Sequence, residues 1–289
     1  MAKIAWFGAG MMGSGFVEAL RRRGDEVRVW NRTPEKAKAL ERFGAVAVEQ
    51  PRAVLEGVER VHIILSDDAA VDGLLGQIAD AIPKGVLAID HTTVAPRPTA
   101  ARFARCAAKG IAFLHAPVFM GPQSCREGTG LMLSSGSLGT FERVEPELKK
   151  MTGELWYVGE RPDKAAALKL FGNEMLLTIV AGLADGYAIM KSVGIAATEA
   201  HELFTHFRPG GAIDMRGKKM AAGEYKPASF ELRMARKDAR LMMETAEGGG
   251  VALHFLPSIA KRFDELLAQG HGDEDMGVLA VDVVPAAAT

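Results

Sequence analysis

The sequence has few cysteines, almost no net charge and no basic leader at its start. Cys106 and Cys125 are the only cysteines in 289 residues, too few for a disulfide framework or a cysteine metal site. A net charge of −1 gives no reason to expect nucleic acid or a membrane surface as a partner. The first residues lack the basic and apolar regions of a secretory signal. We therefore expect a cytoplasmic protein with no metal site.

The length and composition are those of an ordinary globular protein. Its 289 residues suit one or two domains. Hydrophobic residues make up 48% of the chain and charged residues 25%, as in proteins with a sizeable folded core. Local charge can differ from the balanced total, so a small anionic ligand is still compatible with this composition.

A glycine-rich segment near the N-terminus has the context of a dinucleotide-binding loop. The apolar run 3–7 predicts a buried strand, and Gly8–Gly13 (GAGMMG) follows it as a G-x-G-x-x-G motif. The helix that this motif opens is predicted to end at Gly24, before a second strand over 26–30. Such a loop brings backbone amides and a helix N-terminus to a pyrophosphate. A glycine turn without a ligand and a methyltransferase with another adenosine cofactor are the alternatives.

The residues after the second strand bear on which dinucleotide is bound. An NAD site usually has Asp or Glu there, whose carboxylate accepts hydrogen bonds from the ribose 2′-hydroxyl. This chain has Asn31, Arg32 and Thr33 instead. A guanidinium pairs with a 2′-phosphate, which a carboxylate would repel. The segment therefore predicts NADP(H) as the cofactor, with a solvated surface arginine as the alternative.

Apolar runs and helical patterns alternate through the first half of the chain. Further strands are predicted over residues 61–65, 86–89, 111–114, 130–134 and 154–158, with a helix over 140–151. Beyond residue 194 helices are predicted over 197–205, 229–247 and 256–269, with a loop-rich stretch over 208–227. The predicted fold is an α/β Rossmann-type doubly wound sheet in residues 1–162. A long interdomain helix joins it to an all-α domain in residues 163–289.

The interdomain helix is predicted from Asp163 to Gly194, about 45 Å long. Its apolar residues lie all around it, which predicts burial on every side. Its longest uncharged run, Met175 to Ala184, is far shorter than the ~18 residues that a membrane span needs. Lys169 and Asn173 are four residues apart and share one face near its start. A lysine in a buried helix indicates a function.

Several separated motifs occur in an order that one family shares. They are the glycine loop with Asn31-Arg32-Thr33, the segment DHTTVAP at 90–96, Ala116-Pro117-Val118, the pair Lys169 and Asn173, and the pair Lys237 and Asp238. Together they resemble the β-hydroxyacid dehydrogenases, which include 3-hydroxyisobutyrate dehydrogenase and the glyoxylate/succinic semialdehyde reductases. The resemblance covers nearly the whole chain.

This resemblance implies a role for each matching residue. It makes Lys169 and Asn173 the catalytic pair, in the cleft between the two domains. The cofactor-binding residues are expected to be Gly8, Ala9, Gly10, Met11, Met12, Gly13, Asn31, Arg32, Thr33, Leu65, Ser66, Thr93 and Lys237. The substrate-binding residues are expected to be Thr92, Val118, Phe119, Met120, Gly121, Lys169, Asn173 and Lys237. Asp90 is expected to shape the nicotinamide-ribose pocket.

Lys169 suits hydride-transfer chemistry, because an ammonium can donate a proton to the alkoxide that forms. Burial and a neighbouring cation such as Lys237 are both expected to lower its pKa. A surface lysine whose stem lies along apolar neighbours is the alternative.

The chain departs from the family pattern in the substrate loop. Phe119 and Met120 stand where the family has Ser and Gly, in the loop that grips the substrate carboxylate. Thr92 replaces a Ser and keeps its hydroxyl, and residues 163–168 lack the glycines that often precede the lysine. These departures leave the substrate open.

The sequence thus predicts an NADP(H)-dependent oxidoreductase with Lys169 as general acid and base. Its expected reaction interconverts a small β-hydroxy acid and the semialdehyde or keto form, so the expected partner is a small anionic carbonyl compound or hydroxy acid. The resemblance further implies a homodimer or homotetramer. An imine reductase on the same scaffold and a non-catalytic NADP-binding regulatory protein are the alternatives.

Overall fold

The computed structural model describes residues 2–287, which divide into a first compact unit up to Glu174 and a second from Met175. The strands of the first unit are β1 (Lys3–Phe7), β2 (Glu26–Trp30), β3 (Val46–Ala47), β4 (Arg60–Ile63), β5 (Leu87–Asp90), β6 (Ala112–His115), β7 (Val118–Phe119), β8 (Leu131–Ser135) and β9 (Glu154–Gly159). Its helices are α1 (Met11–Arg22), α2 (Pro34–Lys38), α3 (Asp68–Ile78), α4 (Pro96–Ala108), α5 (Pro122–Glu127), α6 (Leu138–Glu142) and α7 (Glu145–Lys149). Helix α8 (Lys164–Ser192) begins in the first unit and ends in the second. The second unit continues with α9 (Ala197–His201), α10 (Leu203–His206), α11 (Lys218–Ala222), α12 (Leu232–Gly248) and α13 (Leu256–Ala268).

The strands form a single sheet in the order β3-β2-β1-β4-β5-β6-β8-β7, and β9 pairs with β8. The pairings from β3 across to β6 are parallel, whereas β8 is antiparallel to β6 and β7. The chain order reverses between β1 and β4, and ligands of such sheets bind beyond the carboxyl ends of the strands at this point. The predicted Rossmann-type sheet with a C-terminal helical domain is confirmed.

Both faces of the sheet are covered, which explains why β1 shows no alternation of apolar and polar residues. Ile4 and Trp6 belong to one apolar cluster, together with Phe16 of α1. Ala5 and Phe7 belong to a second cluster on the opposite face. A strand that is buried on both faces has to be a continuous apolar run.

The predicted helix over residues 140–151 is wrong, because the structure has two helices there. The first ends at Glu142 and the second begins at Glu145, with Pro146 in its first turn. Proline has no N–H, and inside one helix its ring would clash with the carbonyl four residues earlier. Strands β3 and β7 are missing from the prediction because two residues are too few to show a periodicity.

The second unit is helical, as expected, but two of its predicted segments are wrong in detail. The helix predicted over 197–205 is divided between α9 and α10 at Glu202. The stretch over 208–227 contains a π-helical turn at Ile213–Gly217 and then α11. Both are only five residues long and have no side-chain cap, so the sequence carries little signal for them. The core of this unit lies between α12 and α13, where Leu232 and Leu266 are fully buried.

Helix α8 contradicts the prediction of burial on every side. Ala165 and Ala166 near its start are fully buried, but Phe171, Leu177 and Val180 are 68%, 72% and 65% exposed. An apolar pattern indicates that a helix has to be covered, but it does not say that the cover comes from the same chain.

By length and composition alone, α8 also meets the criterion for a membrane span. However, one polar interaction of α8 in the second unit is typical of a helix that packs within a globular fold and not of a membrane span. The buried carboxylate of Asp185 accepts hydrogen bonds from the backbone N–H groups of His254, Phe255 and Leu256, at 2.8–2.9 Å. It therefore anchors the chain at the start of α13.

Candidate active site

The glycines of the loop after β1 have three different surroundings. Gly8 has a φ of +108°, and a Cβ there would lie 2.0 Å from the carbonyl oxygen of Ile64. A Cβ on Gly13 would lie 2.1 Å from the carbonyl oxygen of Gly8, whereas one on Gly10 would meet no atom within 4 Å. The first and third glycines are therefore required for packing. The second leaves open space at the N-terminus of α1, where a pyrophosphate fits.

A cavity of about 570 Å³ adjoins this loop at the carboxyl ends of β1, β2 and β4. The predicted cofactor residues that line it are Gly8, Gly10, Met11, Met12, Gly13, Asn31, Arg32, Thr33, Leu65 and Ser66. Ala9 is buried instead, and its backbone N–H donates to the Asn31 side chain at 2.9 Å. Lys36 and Gln77 also line the cavity. The sequence analysis missed both, although Lys36 lies only four residues after Arg32, in the first turn of α2. The donor groups and the open glycine fit a dinucleotide.

Asn31 fixes the end of β2 to the glycine loop. Its Oδ1 accepts the N–H of Ala9, and its Nδ2 donates to the carbonyl of Thr33 at 2.9 Å. An aspartate could accept the first of these bonds but could not donate the second. The residue that stands in place of the usual carboxylate thus has a structural role, and no carboxylate stands at this position to repel a 2′-phosphate.

Thr92 lies between two loops of the site. Its hydroxyl oxygen accepts the N–H of Leu65 at 3.0 Å, and its own N–H donates to Asp90 Oδ1 at 2.9 Å. Only 1% of Thr92 is exposed. Its side chain therefore joins the loops after β4 and β5, and the predicted contact of Thr92 with substrate stays a prediction. The next residue, Thr93, is exposed at the same edge of the sheet.

Asp90 at the end of β5 is a buried carboxylate next to a buried cation. Arg102 Nη1 of α4 lies 3.7 Å from Asp90 Oδ2, and neither side chain has any exposed surface. Burial raises the pKa of Asp90 to about 6. Arg102 also donates to Asp68 at 2.9 Å and to Asp72 at 2.7 Å. The carboxylate of Asp90 thus supports the loop from inside, and its predicted part in shaping a nicotinamide-ribose pocket stays a prediction.

A chain of buried hydrogen bonds crosses the sheet to the start of the substrate loop. Arg60 Nε donates to His62 Nε2 at 3.2 Å, so this nitrogen is the acceptor and His62 Nδ1 carries its proton. His62 Nδ1 then donates to His91 Nε2 at 2.9 Å, and His91 Nδ1 donates to the carbonyl of Ala116 at 2.7 Å. Burial lowers the pKa of His91 to about 4. Both rings are neutral at pH 7, and every proton in the chain has a defined place.

The predicted catalytic pair is formed in the first turns of α8. Lys169 Nζ donates to Asn173 Oδ1 at 2.8 Å, and Lys169 is 7% exposed. Burial lowers the pKa of Lys169 to about 8. The ammonium also lies over the ring of Phe119, with Nζ 3.8 Å from the ring centroid. The structure therefore brings the catalytic pair together with one of the residues of the substrate loop.

The other predicted substrate residues have different surroundings. Val118 is 3% exposed and packs in the core of the first unit, and its predicted contact with substrate stays a prediction. Met120 is half-buried, and Gly121 is exposed just before α5. Lys237 belongs to the second unit, where its Nζ lies 2.9 Å from Asp238 Oδ1 on α12. Its role stays a prediction.

Comparison with known families identifies both parts of the chain. Residues 3–159 match the NAD binding domain of 6-phosphogluconate dehydrogenase, and residues 162–284 match the C-terminal domain of NADPH-dependent reductive aminase-like proteins. Two similar proteins are the uncharacterized oxidoreductase YfjR of Bacillus subtilis and the chloroplastic glyoxylate/succinic semialdehyde reductase 2 of Arabidopsis thaliana. They are 26% and 27% identical over 96% of this chain, which spans 98% and 78% of their respective lengths.

A similar solved structure is the imine reductase from Myxococcus stipitatus in complex with NADP+. It has a TM-score of 0.89 and 21% identity, over 96% of this chain and 98% of that one. This likeness shows the shared fold. The NAD-binding match covers more than half of the chain, and the geometry of the glycine loop agrees with it. The protein therefore belongs to the NAD(P)-dependent oxidoreductases of the β-hydroxyacid dehydrogenase family.

Proposed function

We propose that this protein interconverts a carbonyl compound and its alcohol with NADP(H), and that Lys169 transfers the proton. The observation that carries the proposal is the buried Lys169, held by Asn173 at 2.8 Å, with a pKa lowered to about 8. A lysine of this kind exchanges a proton near neutral pH, as a general acid or base has to do. Carbonyl–alcohol interconversion is a narrower statement than membership of the oxidoreductase family, and it is what we propose for this protein.

The nicotinamide supplies or accepts the hydride. Hydride addition to a carbonyl carbon places negative charge on the oxygen, and the Lys169 ammonium can neutralise it by donating a proton. In the reverse direction the neutral amine accepts the hydroxyl proton as hydride leaves the carbon. Asn173 orients the Lys169 nitrogen through their hydrogen bond. Phe119 excludes water from one side of the ammonium, because its ring covers that side.

NADP(H) is the proposed form of the cofactor. Arg32 and Lys36 both line the cavity beyond β2, where the chain has no carboxylate at position 31. The imine reductase of similar fold was solved with NADP+. Replacing Arg32 with alanine is expected to weaken NADPH binding by about 10- to 100-fold, the effect of one charge-assisted hydrogen bond. NADH binding should be nearly unchanged. Fluorescence titration with each cofactor measures both, and an equal loss contradicts the assignment.

A substrate panel tests the proposed reaction. NADPH oxidation is measured with aldehydes and keto acids, NADP+ reduction with hydroxy acids, and NADPH oxidation again with cyclic imines. Turnover of aldehydes or keto acids that requires Lys169 supports carbonyl reduction. Cofactor binding without turnover of any compound would favour a regulatory protein instead.

Imine reduction is the second candidate, favoured by the match of residues 162–284 to the reductive aminase-like domain. The two reactions differ in their need for a proton. Hydride addition to a protonated imine gives a neutral amine directly, so no proton donor is needed at that step. A cationic lysine would also repel the cationic imine. Imine turnover that survives the replacement of Lys169 by alanine, with aldehyde turnover lost, would select this second function.

A homodimer or homotetramer is proposed for the assembled protein. Large apolar side chains of α8 that are exposed by about half or more support it: Phe171, Leu176, Leu177, Ile179 and Val180, at 68%, 57%, 72%, 49% and 65%. Several exposed large apolar side chains on one helix are typical of an interface. Sedimentation equilibrium is expected to give two or four times the mass of one chain. The mass of one chain at micromolar concentration would contradict the proposal.

A further inference from the structure

The reacting nitrogen of Lys169 has an aromatic neighbour that the family pattern does not predict. Phe119 lies at the end of β7, and Lys169 Nζ is 3.8 Å from the centroid of its ring. One N–H of the ammonium is directed to Asn173 Oδ1. A second side of the ammonium faces the ring, in the geometry of a cation–π contact. A substrate oxygen that reaches the remaining N–H therefore has the Phe119 ring beside it.

Gly172 provides the surface on which this ring rests. A Cβ at position 172 would lie 2.5 Å from Phe119 Cζ and 2.7 Å from Phe119 Cε1. No side chain fits in that space unless the ring moves. Lys169, Gly172 and Asn173 are at positions i, i+3 and i+4 of α8, so they share one face of the helix. The same helical face thus carries the proton donor Lys169, its hydrogen-bond partner Asn173 and the glycine against which the Phe119 ring packs.

We infer that Phe119, seated on Gly172 against Lys169, determines the specificity of this site. It selects aldehydes or ketones with an apolar or aromatic substituent over those with a carboxylate there. The inference rests on the proposed function, because it names the substrate class of the same carbonyl reduction. It replaces the small anionic substrate that the sequence predicts.

The physical reason lies in what the ring cannot do. A phenyl ring has no N–H or O–H, so a carboxylate beside it loses hydration without gaining a hydrogen bond. An apolar substituent avoids that loss and gains contact area. The serine expected in this loop would instead donate to a carboxylate.

The test compares substrates in the full-length protein. Values of kcat/KM with NADPH are measured for benzaldehyde, pentanal and succinic semialdehyde in the wild type, Phe119→Ser and Gly172→Ala. The wild type is expected to prefer the two uncharged aldehydes by about 10-fold or more, the scale of discrimination in an apolar pocket. Phe119→Ser should reduce or reverse this preference by a similar factor, mainly through KM. Gly172→Ala should change it in the same direction, because the ring is displaced.

Gly182→Ala is the matched control. Gly172 and Gly182 both lie within α8, and alanine favours a helix over glycine. A Cβ at Gly182 would meet no atom within 4 Å. The preference of Gly182→Ala for uncharged aldehydes should therefore equal that of the wild type. An unchanged preference in both Phe119→Ser and Gly172→Ala, with uncharged aldehydes still reduced, overturns the inference and leaves the proposed function standing. A wild type that reduces no aldehyde rejects the proposed function itself. If Phe119→Ser does not fold, Gly172→Ala decides.

Discussion

Replacing Lys169 with alanine is expected to lower kcat for aldehyde reduction by about 10²- to 10⁴-fold, the contribution of a positioned general acid. NADPH binding should be kept, because Lys169 lies outside the set of residues that line the cofactor cavity. The loss arises because alanine has no N–H to replace the ammonium that Asn173 holds. Steady-state kinetics and a fluorescence titration with NADPH measure the two effects separately.

The pH dependence of the wild type follows from the same lysine. Burial lowers the pKa of Lys169 to about 8. Reduction needs the ammonium as proton donor, so its rate should fall as the pH rises through about 8. Oxidation needs the neutral amine as proton acceptor, so its rate should rise over the same range. Lys169→Ala should lose both of these limbs, and a profile that kept either limb would mean that another group titrates.

Lys164→Ala is the matched control for this experiment. Lys164 is exposed, five residues before Lys169 on the same helix. Its replacement removes one positive charge from α8 but no contact with Asn173 or Phe119. Turnover should therefore stay close to that of the wild type. Turnover of Lys169→Ala close to that of Lys164→Ala would reject the catalytic role.

The sequence predicts the sheet well because its signals are local. The run Lys3–Phe7 has to be a strand buried on both faces. Gly8 is required by its φ of +108°, and Gly13 because a Cβ there would meet the carbonyl oxygen of Gly8. That Lys169 and Asn173 share one face of the helix follows from helical periodicity, whereas their catalytic role is implied by the family resemblance. All of these features are decided within a few residues along the chain.

The surroundings of the site could not be predicted in the same way, because they join distant segments. Phe119 and Gly172 are 53 residues apart in sequence, and neither residue type alone indicates that a ring rests on a glycine. His91 has no other histidine near it in the sequence, yet the sheet places it between His62 and the carbonyl of Ala116. The exposure of α8 could not be predicted from the sequence, because an apolar pattern does not show whether the same chain or another subunit covers the helix.

Replacing Arg102 with methionine is expected to destabilise the first unit by about 3–5 kcal/mol, the cost of leaving one charge of a buried pair without its partner. Arg102 is the cation beside Asp90, at 3.7 Å, and both side chains are fully buried. Asp68 and Asp72 also lose a partner, but they are partly exposed and can be hydrated. Asp90 cannot, and its Oδ1 accepts the N–H of Thr92 in the loop that leads to the site. Urea unfolding followed by tryptophan fluorescence measures the change, since Trp6, Trp30 and Trp156 all lie in this unit.

Two further variants identify Asp90 as the origin of that loss. Arg105→Met removes a cation that also pairs with Asp72, but Arg105 is 53% exposed, so about 0–1 kcal/mol is expected. Arg102→Met combined with Asp90→Asn should recover part of the lost stability, because the amide carries no charge.

Burial already raises the pKa of Asp90 to about 6, and loss of the neighbouring cation raises it further. The native state of Arg102→Met then takes up a proton that the unfolded chain does not, so its stability deficit should grow as the pH rises from 5 to 8. A deficit that is independent of pH and unaffected by Asp90→Asn would assign the cost to lost packing of the Arg102 side chain instead.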